Sequence, residues 1–183
     1  MPLTLAAPEL PETWFGPTGT MENSPRELFR EVFETDLPIS GGWGYSQDTC
    51  VAIEKDDDAV DQEQVFDGLA IESEFVKFRL YSELRVFREP GDMFQGIEWQ
   101  QTSQKLIEEN GRTFDVVRFY VRAWTERDWE ALTKMFTEGR EFLNDPSGLS
   151  KFKEERKRRV CQFEAEFWFD VTSFVSPANR VLH

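Results

Sequence analysis

The stretch IEWQQTSQKLIEENGRTFDVVRFYVRAW, residues 97–124, decides the fold class. It holds two β-like runs separated by Asn110-Gly111, the dipeptide best suited to a two-residue hairpin turn because both of its residues tolerate positive φ. On the second run Phe119, Val121 and Ala123 alternate with Tyr120, Arg122 and Trp124. On the first run Trp99, Gln101, Ser103 and Lys105 share one parity, and that set is polar, so one side of the hairpin is expected to be wet.

Further on, VCQFEAEFWFDVTSF gives a strand over about 160–172. Cys161, Phe163, Ala165, Phe167, Phe169 and Val171 form its apolar face. CVAI at 50–53 reads as a short buried strand, followed by a solvated loop, DDDAVDQEQ, at 56–64. Helices flank these strands. Ser24, Pro25 and Glu27 make an N-cap, a first-position proline and a capping box, and Leu28, Phe29, Val32 and Phe33 form one apolar face before Pro38 stops the helix. Thr125 and Asp128 cap a second helix, in which Trp129, Leu132, Met135 and Phe136 fall at helical spacing. A turn at Asn144-Asp145-Pro146 then leads into the basic run KFKEERKRR, read as a solvated helix face.

Residues 69–87 carry two competing periods. Val76, Phe78, Leu80, Leu84 and Val86 share a parity, whereas Ile71, Phe75, Val76, Leu80, Leu84 and Phe87 make a helical stripe. The Glu, Lys and Arg content favours helix for the first part, with an extended exit before Pro90-Gly91. Strict β-α-β alternation is missing. The expected architecture is therefore α+β: one domain over 24–183, a mainly antiparallel sheet, and helices packed on one face, preceded by an extended, proline-rich arm at 1–23. Trp14 and Phe15 could pin that arm down.

At 183 residues the chain is long enough to bury a sizeable core. With 17 Phe and 6 Trp, rings supply most of the packing. The 35 acids outnumber the 21 Lys and Arg, for a net charge of −14, a field that repels nucleic acid and anionic membrane and attracts basic proteins. No apolar run reaches the ~20 residues a membrane span needs. Nothing before Arg26 is basic, so a signal peptide is not expected and the cytoplasm is the default location.

Several chemistries lack their residues. The one histidine is His183, the final residue, which leaves Ser-His and Cys-His nucleophile pairs without an imidazole. Cys50 and Cys161 are too few for a disulfide scaffold or a zinc set, and the apolar neighbours of Cys50 argue for burial. GGWG at 41–44 is followed by Tyr45 and Ser46, with no Lys until Lys55 and a strand rather than a helix after it, so it is no phosphate loop, and Gly41, Gly42 and Gly44 are read as providing positive φ or close backbone approach. Asp56-Asp57-Asp58 lacks the glycine and distal glutamate of a calcium loop. No metal and no cofactor is expected. Glu72, Glu74, Glu98 and Asp115 sit near apolar residues where a carboxyl pKa could rise, a pattern of little specificity.

Two functional readings remain ahead of a purely structural or assembly role. The first is a non-enzymatic, acidic binding protein, of the kind an immunity-type inhibitor would be, that neutralises a basic protein partner. Trp43, Tyr45, Asp56, Asp57 and Asp58 are its contact residues. The second is a small carboxylate-based enzyme or ligand binder, with Trp43, Tyr45 and Trp99 lining a pocket.

Overall fold

The structure, a computed structural model, describes residues 24–61, 63–138 and 146–175. The arm at 1–23, the Asn144-Asp145 pair and His183 lie outside the described residues. In chain order the elements are α1 (Pro25–Phe33), β1 (Ile39–Gly41), β2 (Val51–Ile53), α2 (Gly68–Tyr81), β3 (Phe94–Glu109), β4 (Arg112–Thr125), α3 (Glu126–Glu138), α4 (Pro146–Arg159) and β5 (Cys161–Asp170). The five strands form one sheet in the order β1-β2-β5-β4-β3. Every pairing is antiparallel except β2 with β5. This is the α+β fold the sequence predicts.

The hairpin turns where expected. Asn110 (φ 52°) and Gly111 (φ 77°) both occupy the left-handed region, as a primed turn between right-twisted strands requires. Beyond it, β3 departs from the simple alternation read in the sequence. Gln101 opposes Phe119, but Ser103 already opposes Arg118. This bulge at Thr102 changes the parity. Trp99 and Gln101 therefore share the face of Val121 and Phe119, while Ser103 and Lys105 lie exposed on the opposite face.

The main core forms between one face of the sheet and α1 with α2, the expected layer of helices. Val117, Val121 and Ala123 of β4 and Phe163, Ala165, Phe167 and Phe169 of β5 bury against Leu28, Phe29, Phe75, Val76 and Leu80. Rings meet edge to face, with Phe29 5.5 Å from Phe75 and Phe75 5.5 Å from Phe169. α1 begins with the reciprocal capping box of Ser24 and Glu27. It ends earlier than Pro38 would impose: Glu34, at φ 52°, closes it by donating its N–H to the Phe29 carbonyl.

The 69–87 stretch resolves as helix throughout. After α2 the chain stays helical through a π turn at Ser82–Val86, with Phe87 N–H donating to the Ser82 carbonyl, so the extended exit does not form. Phe75 and Phe87, which belong only to the helical stripe, reach the core, and Phe78 of the alternating set is buried as well, against Phe29 and Phe33 of α1, so the helix is covered on more than one side.

α3 and α4 make a second unit, closed on the end of β4. Trp124, Leu132 and Val160 bury together with Trp129 and Phe152 beside them, Phe136 and Phe152 pair across the helices, and Arg159 bonds Asp128 at 2.8 Å. The Thr125–Asp128 cap is present, Asp128 N–H donating to Thr125 Oγ1.

Candidate functional site

The sequence places its contact residues on two neighbouring segments, and the fold treats these very differently. In the glycine-rich loop, a Cβ on Gly42 would fall 2.6 Å from the Thr49 carbonyl oxygen, and Gly44 takes φ 73°. The absence of side chains lets the loop fold tightly: Gly44 donates to Thr49 O and accepts from Trp168 N–H at 3.0 Å. The loop is thereby tied to β5.

Arg79 of α2 reaches beneath this loop. It is 3 % exposed, and its guanidinium carbon lies 3.9 Å from the Tyr45 ring centroid and 4.1 Å from that of Phe167. Nη1 donates to the carbonyls of Trp43, Gly44 and Glu166, and Nε to Glu83 at 2.7 Å. Tyr45 donates its hydroxyl to the same Glu83 at 2.6 Å, and burial together with the Glu83 charge pushes its phenol pKa up. A buried guanidinium satisfied in plane by carbonyls and stacked on two rings is a fastening for the loop. Trp43 packs edge-on against Phe29 and Phe87, and Trp99 against Tyr81, so each of the three expected pocket rings meets its own set of partners. Tyr45 keeps 40 % of its surface exposed.

The acidic segment is tied down at its start, where Lys55 N–H donates to Ser173 Oγ, and near its end, where the Phe66 ring meets Phe174, and between them Asp57 is fixed by an ion pair. Arg26 of α1 donates to both oxygens of Asp57, at 2.6 and 2.7 Å, and to Asp36. Arg26 thereby holds the Asp57 carboxyl below its usual range. Asp56 and Asp58, on either side, are exposed. From 54 to 67 the chain carries seven acids and one Lys. Val65 and, just beyond the segment, Leu69 stand out of this acidic surface at 95 % and 63 % exposure.

Of the four carboxylates singled out by apolar surroundings, two prove coupled. Glu72 of α2 is buried, and desolvation aided by the charge of Asp115 pushes its pKa up to about 8. Asp115 is also buried and raised by desolvation, although Gln104 donates to its Oδ2; its Oδ1 has no hydrogen-bond partner among the described residues. Glu74 instead pairs with Lys77 at the surface, and Glu98 bridges Arg122 and Arg156. Cys50 packs with Phe114 and Val116, and burial pushes its thiol pKa up against the pull of Arg112, the reverse of what an activated nucleophile needs.

One feature escaped the sequence reading. The basic run forms α4 as expected, but its cations divide between two sides. Arg158 and Arg159 are neutralised by Glu155 and Asp128. Lys153, Arg156 and Lys157 instead line a cleft of about 160 Å³, together with Arg122 of β4, Gln162 of β5 and Trp124. The run signalled positive charge, but nothing in it indicated that Arg122, far away in sequence, would join it.

Among the described residues no group of three or more His, Cys, Asp or Glu could hold a metal ion, and no helix is long and apolar enough to cross a membrane. No family model, curated protein or solved structure matches the chain.

Proposed function

We propose that the protein is a non-catalytic binding protein that engages a basic protein partner through the acidic 54–67 segment, as an immunity-type inhibitor would. The observation that carries this reading is the presentation of Asp56 and Asp58 on either side of the anchored Asp57, with exposed Val65 and Leu69 alongside. Acidic side chains steer a cationic partner and set its register, but exposed charge adds little binding energy. Isolated apolar side chains within the charged surface supply the anchors that charge lacks. The net charge of −14 acts in the same direction at long range. Tyr45 lies at the exposed margin of the loop, while Trp43 contributes by holding that loop in place.

The test is affinity recovery from the protein's native cell at low and high salt, with wild type, D56K/D58K and V65S/L69S side by side. A stoichiometric basic protein that is lost at high salt and from both variants is the expected result. A wild-type protein that recovers no stoichiometric partner, or one indifferent to salt, overturns the reading.

A second reading, carboxylate chemistry, draws on Glu72 alone among the acids, since a carboxyl with a pKa of about 8 is protonated at neutral pH and able to donate a proton. A small ligand acting there must shift the Glu72 carboxyl titration seen by NMR. A screen in which no ligand does so removes this reading.

A further inference from the structure

We propose that the cleft between α4 and the sheet binds the phosphate group of a small phosphomonoester. Four cations, Arg122, Lys153, Arg156 and Lys157, surround it. The one acid bonded to any of them among the described residues is Glu98, which accepts from Arg122 at 3.0 Å and from Arg156. The local balance is therefore +3 on a chain whose total is −14. Arg158 and Arg159, on the other side of the helix, are already paired with Glu155 and Asp128. Lys153 and Lys157 have no such partner among the described residues.

The geometry is specific as well as cationic. The Arg156 guanidinium is held in place by the Trp124 ring, 4.6 Å from its centroid, and by Glu98, while Trp124 N–H donates to the Arg156 backbone carbonyl at 3.0 Å and ties the helix to the same ring. Glu98 fixes Arg122 and Arg156 against each other while occupying one side of each fork, leaving further N–H donors for a second anion. Tyr120 donates to Gln162 Oε1, which leaves the Gln162 amide nitrogen as a neutral donor at the cleft. Val160 adds an apolar side chain to the lining.

Size and charge then select the ligand. About 160 Å³ falls short of the ~300–1,000 Å³ of cofactor pockets and suits one compact group with a short carbon portion. A phosphomonoester carries roughly −1.5 to −2 at neutral pH, a better match to +3 than a single carboxylate. A nucleic acid would have to lay its next phosphates against the acidic remainder of the surface, which disfavours polyanions. The Debye length of about 8 Å at physiological salt lets the cleft act on a small dianion despite that remainder.

The experiment is a calorimetric titration of the full chain with phenyl phosphate at physiological salt, repeated for K153A/K157A and R122Q and with a single-stranded oligonucleotide. The lysine variant removes two exposed side chains from the helix and R122Q one from the sheet, and thermal melts show whether each still folds. Saturable binding by wild type in the millimolar range or tighter, weakened about tenfold in both variants, is the expected result. Absence of saturable binding to wild type, affinity retained in either folded variant, or tighter binding of the oligonucleotide than of phenyl phosphate overturns the proposal.

Discussion

The Arg79 guanidinium is stacked on the Tyr45 ring at 3.9 Å and shares Glu83 with the Tyr45 hydroxyl. This pairing converts a glycine-rich loop from a potential recognition element into a fixed rim of the sheet. Removing one partner of a buried ion pair leaves the other uncompensated, at a cost of about 3–5 kcal/mol. R79A is expected to lose that much in chemical denaturation. R79K should recover little, because an ammonium can neither lie flat between Tyr45 and Phe167 nor reach Glu83 and the carbonyls of Trp43, Gly44 and Glu166 from separate nitrogens. Y45F should cost only about 0.5–1.5 kcal/mol. An R79K protein as stable as wild type would remove the fastening role.

Glu72 sets an expected pH dependence. Its folded pKa of about 8 lies above the ordinary 4.5, so between these values the native state holds a proton that the unfolded chain has released. Stability must therefore fall as pH rises through that window and level off above pH 8, by roughly 2–5 kcal/mol. E72Q abolishes the need to ionise, so the variant gains on wild type as pH climbs. Melting curves at pH 5 and pH 9 measure the difference, and an unchanged gap between the two proteins would contradict the assignment.

Arg26 produces the opposite slope in acid. It holds Asp57 low, and Arg30, with Arg26 beside it, holds Asp36 at about 2. Folded values below the ordinary 3.8 give a stabilisation present above about pH 4 and lost as pH falls towards 2. Because these groups are partly solvated, R26Q should cost only about 1 kcal/mol at neutral pH, and it should flatten the acid limb of the stability profile. It should also loosen the turn at Asp57, which amide exchange at Ala59 would register, since that N–H donates to Asp57 at 2.8 Å.

The hairpin turn isolates a purely conformational cost. A Cβ on Gly111 would meet nothing within 4 Å, so G111A is penalised only for its φ of 77°. About 1 kcal/mol is expected from denaturant midpoints. A loss several times larger would mean that packing contributes at that position.

Both thiols should be slow. Burial raises the pKa of Cys50 and of Cys161. Native protein at pH 7 should react with a thiol reagent far more slowly than unfolded chain, in which both cysteines titrate at once. Rapid native labelling at Cys50 would reopen the nucleophile reading.

The sequence alone determined the elements whose signals are local. Ser24 with Glu27, Asn110 with Gly111, and the alternation from Cys161 to Asp170 each specify their structure through neighbouring backbone groups and side-chain period. Tertiary structure decided whatever depends on residues distant along the chain. The 69–87 stretch supports two periods, and it is the burial of Phe75 and Phe87, which only the helical period contains, that goes with the helical one. The bulge at Thr102 that turns Trp99 inward follows from pairing with β4. Glu72 and Asp115 become coupled acids, and Arg122 joins Lys153, Arg156 and Lys157 in a cleft, because folding removes solvent and closes distances that sequence spacing does not encode.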